Sequence, residues 1–156
     1  MRKPSDAARI PKPGEGKRGE QGYLGYLLRQ AAGAYRRRME RALADLQVTP
    51  PQFAVMTMLQ AYPSQSSADL ARLALLTPQT VSVIVANLER AGSIVRQPHS
   101  VHGRILTIEL SERGTGLLER CRTRVLALER EVAEGLSQAE ETAIRRWLVH
   151  IAESGS

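Results

Sequence analysis

The sequence predicts a mainly α-helical fold carrying one small β-hairpin, and three observations predict it. Apolar residues recur every three or four positions over most of residues 23–152, the repeat that lines one face of a helix. Helix-start signals punctuate that pattern at Thr49-Pro50, Ser66, Thr77-Pro78, Ser111 and Ser137. Only between Ile94 and Leu110 does the period fall to two. Aromatic residues are 4% of a chain that is 42% hydrophobic, so the core must be built from Ala, Leu, Val and Ile. With 156 residues, the chain is long enough for one domain with a hydrophobic core and too short for two comfortable ones.

The elements follow in order. Residues 1–20 hold six Lys or Arg and three Asp or Glu among prolines and glycines. Such a segment buries too little apolar surface to offset its ordering, which predicts a disordered basic tail. From Tyr23 to Leu46 the apolar positions Tyr23, Leu27, Ala31, Ala34 or Tyr35, Met39, Ala42 and Leu46 form the stripe of a long first helix, Arg-rich on its outer side. Thr49-Pro50-Pro51-Gln52 joins an N-cap, a proline at the first helical position and a capping-box glutamine, opening a second helix that stops at Pro63.

Ser66 caps a short third helix bearing Leu70, Ala71, Leu73 and Ala74, and Thr77-Pro78 starts a fourth almost at once. The fourth carries an inward stripe of Val81, Ile84, Val85 and Leu88 and ends at Gly92. Two short helices joined through Leu75-Leu76 have the pattern of a helix-turn-helix. Ile94 to Gln97 and Arg104 to Leu110 then read as two strands around the connector 98–103, the second with Leu106, Ile108 and Leu110 inward and Thr107 and Glu109 outward. A hairpin in this place is a wing. Ser111 caps a long helix whose Leu118, Cys121, Val125, Leu128 and Val132 form a coiled-coil-like seam requiring another helix against it. Gly135 closes it, and Ser137-Gln138-Ala139-Glu140 opens a last helix with Ile144, Trp147, Leu148 and Ile151 on one face. The terminal helices carry more apolar stripe than the central module can cover, which implies a partner chain. The expected organisation is a tail over 1–20, a dimerisation helix over 21–48, a winged module over 49–112 and C-terminal dimerisation helices over 113–156.

Charge and cysteine content narrow the function. The net charge is +6, from 22 basic and 16 acidic residues, which favours a polyanionic partner. That excess lies outside the winged module, where Arg72, Arg90, Arg96 and Arg104 are balanced by Asp69, Glu89, Glu109 and Glu112. Cys121 is the single cysteine, so neither an intrachain disulfide nor a cysteine-based zinc site can form, and a reducing, cytoplasmic setting fits. Its place on an apolar seam gives it the character of a small buried hydrophobe. No secretory signal pattern and no membrane-length apolar run is present. A nucleophile elbow, a phosphate-binding glycine loop and paired metal-binding histidines are likewise missing, so no enzyme activity, cofactor or metal is expected.

The order of elements, with Ala68-Asp69-Leu70-Ala71-Arg72, Leu76-Thr77-Pro78-Gln79-Thr80-Val81-Ser82, Leu88-Glu89-Arg90-Ala91-Gly92 and the run from Gly103-Arg104 to Leu110-Ser111-Glu112-Arg113-Gly114, resembles the MarR family of dimeric winged-helix transcription regulators. The resemblance spans about 23–152. It implies a homodimer that binds double-stranded DNA at an imperfect palindrome as a repressor, the fourth helix entering the major groove and the wing reaching the minor groove. On that reading the outward residues Thr77, Pro78, Gln79, Thr80, Ser82, Val83 and Asn87 face DNA: amide side chains pair with adenine, hydroxyls donate or accept, and valine methyls meet a thymine methyl. In the wing, where many relatives carry Asp-Arg-Arg, this chain has His102, Gly103 and Arg104, so Arg104 is the candidate minor-groove or phosphate contact, with Arg96, His99 and His102 beside it.

Relatives are commonly released from DNA by small aromatic or phenolic acids. By position, Tyr26, Arg29 and Met56 are the candidate effector residues, Arg29 matching a carboxylate and Tyr26 a phenol edge, although tyrosine and methionine on an apolar stripe also suit a core. The competing reading is a winged-helix module that binds protein rather than DNA, suggested by a fourth helix without basic residues on its outward face.

Overall fold

The computed structural model describes residues 9–155. Its helices are α1 (Leu24–Leu43), α2 (Pro50–Ala61), α3 (Ser67–Leu73), α4 (Pro78–Arg90), α5 (Glu112–Ala133) and α6 (Gln138–Ser154), with strands β1 (Ile94–Pro98) and β2 (Leu106–Leu110) between α4 and α5. Each helix from α2 onward begins where a side chain satisfies a free backbone donor. Thr49, Ser66, Thr77, Ser111 and Ser137 accept from the amides of Gln52, Asp69, Thr80, Gly114 and Glu140, and the boxes at Thr49 and Ser137 are reciprocal. The chain divides into two compact units, residues 1–38 and 39–156.

The first unit departs from the expected tail. Met1 to Ala8 lie outside the described residues, but residues 9–22 form hydrogen-bonded turns around a short 3₁₀ segment, Gly16–Arg18. Arg18 donates to the Gln30 side chain at 3.1 Å and to the Pro11 carbonyl at 2.7 Å, while Gln30 donates back to the Arg18 carbonyl at 3.1 Å. Composition missed this because the segment is held by polar bonds, with Gly14 and Gly16 taking the positive φ that its turns need. The apolar stripe expected for α1 is only partly covered: Tyr23 is 88% exposed, whereas Leu43, off that stripe, is fully buried.

In the second unit the core is built from Leu43, Val55, Met56 and Leu59 together with Leu70 of α3, the α4 stripe, Ile94, Ile108, Leu118 and Cys121. Val81, Ile84, Val85 and Leu88 are all buried, as their spacing requires. The helix that the α5 seam requires is the chain's own α2: α5 packs on α2, on the 3₁₀ turn Ala44–Leu46 and on β2. Leu118, Cys121, Val125 and Leu128 are thereby buried and only Val132 of the seam is exposed. By contrast α6 buries no residue, and Ile144, Trp147, Leu148 and Ile151 stay exposed. Among the described residues, no single helix is long and apolar enough to cross a membrane.

The wing strands pair antiparallel from Ile94 opposite Leu110 to Pro98 opposite Leu106. The expected alternation in β2 is not kept. Thr107 is buried and Leu106 is 47% exposed. The second edge of β2 is covered by Gln65, whose carbonyl accepts from the Ile108 amide, and Thr107 donates its hydroxyl proton to the Gln97 carbonyl at 3.2 Å. Leu106 forms the last pair of the ladder, beyond the core's edge, and Arg104 and Ile105 belong to the turn rather than to the strand.

Candidate nucleic-acid interface

The interface begins with the turn between α3 and α4, whose axes differ in direction by 113°. Leu75 sits at φ 55°, the Leu76 amide donates to the Ala71 carbonyl and the Leu75 amide to that of Arg72. This is the Schellman closure of a helix end, made with leucine where glycine is usual. Leu76 packs on the core while Leu75 is 91% exposed, so the strained residue contributes almost no burial and the turn is held from Leu76. The end of α4 uses the same closure with a glycine: Gly92 at φ 74°, and the Ser93 amide on the Leu88 carbonyl.

On α4 the residues singled out from sequence all lie at the surface, and their local bonds decide what each offers. Thr77 caps the Thr80 amide at 3.2 Å, and the two hydroxyls bond each other at 2.9 Å. Pro78 has no N–H and the Val81 amide bonds the Thr77 carbonyl, which leaves the Gln79 amide as the free donor of the first turn for a phosphate oxygen. Ser82 spends its proton on the Pro78 carbonyl at 2.9 Å and therefore faces a partner as an acceptor. The Asn87 carbonyl oxygen accepts from Arg90 at 3.1 Å, so its free capacity is the amide NH₂. Gln79 has no such partner among the described residues, and beside it Val83 is 61% exposed, an apolar spot flanked by polar groups.

The wing residues separate into two kinds. Arg96, expected to meet phosphate, is paired with Glu89 at 3.0 Å, tying β1 to the last turn of α4. It reaches a phosphate only by exchanging that carboxylate. Sequence reasoning missed Glu89, although an acidic residue seven positions ahead of the arginine was the available signal. Arg104, by contrast, is exposed and makes no hydrogen bond or ion pair among the described residues, so its guanidinium is free. His99 is half-buried: its Nδ1 accepts from the Val101 and His102 amides, each at 3.1 Å, and its ring stacks on His102 with centroids 5.6 Å apart. His102 and Gly103 are exposed at the tip.

Two further groups that sequence reasoning passed over brace this face. Asp69 accepts from Ser66 at 2.6 Å and pairs with Arg72, and these hydrogen bonds hold its carboxyl below the usual carboxylate range. Ser64 donates to Glu109 of β2 at 2.7 Å.

Of the effector candidates, Tyr26 and Arg29 fall in the first unit and Met56 in the second. In the first unit, the Arg29 guanidinium carbon is 6.0 Å from the Tyr26 ring centroid, a cation–π contact. In the second unit, Met56 is fully buried and offers no surface. A cleft of about 460 Å³ is lined by Glu40, Ala44 and residues 47–51, and one of about 410 Å³ lies between α5 and α6. Cys121 is fully buried and burial pushes its thiol up, in keeping with a packing role.

These features have counterparts in known proteins. A family model described as MarR family matches residues 46–105. The HTH-type transcriptional repressor Rv2887 of Mycobacterium tuberculosis (strain H37Rv) is 35% identical over 125 residues, covering 80% of this chain and 90% of the relative. A solved structure of Rv2887 in complex with salicylic acid aligns with a TM-score of 0.68 at 35% identity, over 85% of this chain and 98% of that one. The transcriptional repressor CouR, solved bound to a 23-mer DNA duplex, aligns with a TM-score of 0.77 at 26% identity, over 83% of this chain and 92% of that one. This chain belongs to the MarR family of winged helix-turn-helix transcription regulators.

Proposed function

We propose that the protein is a ligand-responsive repressor that binds a palindromic site on double-stranded DNA as a homodimer. The observation that carries this reading is the surface of α4 and the wing: a rigidly braced helix displaying Gln79, Ser82, Val83 and Asn87, with the unpaired Arg104 beyond it. Gln79 and the Asn87 NH₂ suit base edges, Val83 suits a thymine methyl, and the Gln79 amide and Arg104 suit phosphate or the minor groove. Thr77, Pro78 and Thr80 shape the helix start, while Arg96, His99, His102 and Gly103 shape the wing. The exposed apolar face of α6 supports a second copy as partner, which sets the two α4 helices on successive turns of one DNA face. A DNA-binding regulator of this kind acts in the cytoplasm.

The proposed effector is a small aromatic acid. Salicylic acid in the structure of Rv2887 is the chemistry that supports this class. Arg29 offers the guanidinium that pairs a carboxylate and Tyr26 a ring and hydroxyl, with Met56 limited to packing. Selection from a random duplex pool followed by footprinting tests the reading. A protected palindrome is expected, with Arg104→Ala weakening binding about tenfold or more, as loss of a charged contact does, and salicylate releasing the wild-type complex. Binding that does not distinguish selected from random duplex would refute it.

A further inference from the structure

The wing turn holds a histidine whose bonding has no counterpart elsewhere on this face. Residues 99–105 close on themselves: the His99 amide donates to the Ile105 carbonyl and the Ile105 amide to the His102 carbonyl, each at 2.8 Å. Inside that frame the His99 Nδ1 takes both the Val101 and the His102 amides. Arg104, whose guanidinium has no partner among the described residues, is carried by the same closed turn. We propose that His99 is a positioning residue: as a neutral imidazole bearing its proton on Nε2, it clasps the wing turn through Nδ1 and thereby fixes the backbone that presents Arg104.

The chemistry follows from the inventory of the ring. A neutral imidazole has one donor and one acceptor nitrogen, and a nitrogen that receives two N–H groups must be the unprotonated one. A hydrogen on Nδ1 would face two backbone donors and break both bonds together. Around the clasp, His102 stacks on the ring, while on the strands Arg96 is engaged by Glu89 and Glu109 accepts from Ser64.

Loss of the clasp frees the backbone that presents Arg104 while leaving the wing's arginines in place. The quantity that declines is the ratio of affinities for selected and random duplex. This consequence for DNA rests on the function proposed above, whereas the clasp itself does not.

The test uses the full chain and three variants, His99→Asn, His99→Gln and His99→Ala. Asparagine places a carbonyl oxygen close to where Nδ1 lies and cannot be protonated, whereas glutamine reaches past it. Nitrogen-15 spectra of the ring at about pH 7.5 should show Nδ1 unprotonated and Nε2 protonated. The Val101 and His102 amides should exchange slowly with solvent in wild type and His99→Asn, and about tenfold faster in His99→Gln and His99→Ala, the worth of one net hydrogen bond. The selected-to-random duplex affinity ratio should follow the same order. A proton on Nδ1, equal exchange in wild type and His99→Ala, or fast exchange in His99→Asn would each overturn the clasp. Should no duplex be selected at all, the DNA reading fails, and the ring and exchange measurements still decide the clasp.

Discussion

The winged module and the last helix treat apolar side chains in opposite ways. In the module, Leu70, Val81, Val85 and Ile94 are between 0% and 1% exposed, and every apolar residue of the α4 stripe meets another element of the same chain. In α6, Ile144 is 42%, Trp147 37% and Leu148 41% exposed, although their spacing is just as regular. Regular spacing thus marks a face that must be covered without saying by what. At about 25 cal/mol per Å² the module's burial is stabilisation that one chain supplies to itself, whereas that of α6 is available only on assembly.

The largest expected effect separates the two regions by their concentration dependence. Leu70→Ala removes a fully buried side chain and should cost about 2–5 kcal/mol of unfolding free energy, the same at low and high protein concentration. Leu148→Ala should leave the dilute chain's stability nearly unchanged and instead lower the concentration-dependent part of its melting temperature. Urea titrations and thermal melts at two protein concentrations a hundredfold apart, with sedimentation to read the oligomer, measure both. A Leu148→Ala chain that is equally destabilised at either concentration would remove the contrast, because α6 would then be packed within its own chain.

The same contrast explains what could be read before the structure. Helix starts were legible because a cap is a local event: Thr77 and Ser111 each bond an amide three residues on, and nothing distant alters that. The α4 stripe was legible because one face of it enters a core from a single side. The destination of the α5 seam was not legible, since spacing cannot tell the chain's own α2 from another copy. Thr107 failed because its hydroxyl is satisfied by the Gln97 carbonyl across the hairpin, a bond that alternation alone does not register. Within the candidate site, residue identity gave the polar surface of α4, but which atoms remain free depended on local bonds: Ser82 gives its proton away and Arg96 is held by Glu89. The ordered turns at 9–22 were hidden for another reason, as composition registers absent apolar burial and not the bonds between Arg18 and Gln30.

Two glycines of α5, two residues apart in sequence, give the next effect. At Gly114 an added Cβ would lie 1.8 Å from the Ser93 carbonyl oxygen, so the start of α5 sits against the wing's root with only a hydrogen between them. Ser111 reinforces that junction, donating to the Gly92 carbonyl at 2.6 Å. At Gly116 an added Cβ meets nothing within 4 Å. Gly114→Ala should therefore destabilise by about 1–3 kcal/mol, as overpacking does, whereas Gly116→Ala should stabilise by about 0.5–1 kcal/mol through helix propensity. Thermal unfolding of the two variants reads opposite signs. If both are stabilised, the close approach of α5 to Ser93 does not constrain the module.

The smallest effect is one on which the two regions should agree. Asp69 at the start of α3 and Glu140 at the start of α6 both have carboxyls held below their usual range, Asp69 chiefly by hydrogen bonds from Ser66 and Arg72, and Glu140 by those from Ser137. A carboxyl whose folded value is depressed binds fewer protons folded than unfolded. Its stabilisation is present above the unfolded value and is lost as pH falls through the folded one, which puts the window below about pH 4 for Asp69 and below about pH 4.5 for Glu140. Asp69→Asn and Glu140→Gln should each flatten the acid limb of a urea-midpoint profile by a similar small amount, because both groups are solvated and act through local caps. The comparison turns on which transition moves. For Asp69→Asn it should be the unfolding of the module, and for Glu140→Gln the loss of α6 helicity or of assembly. Were Glu140→Gln to shift module unfolding as Asp69→Asn does, α6 and the module would be one cooperative unit, and the exposed face of α6 would already be stabilising the fold it extends.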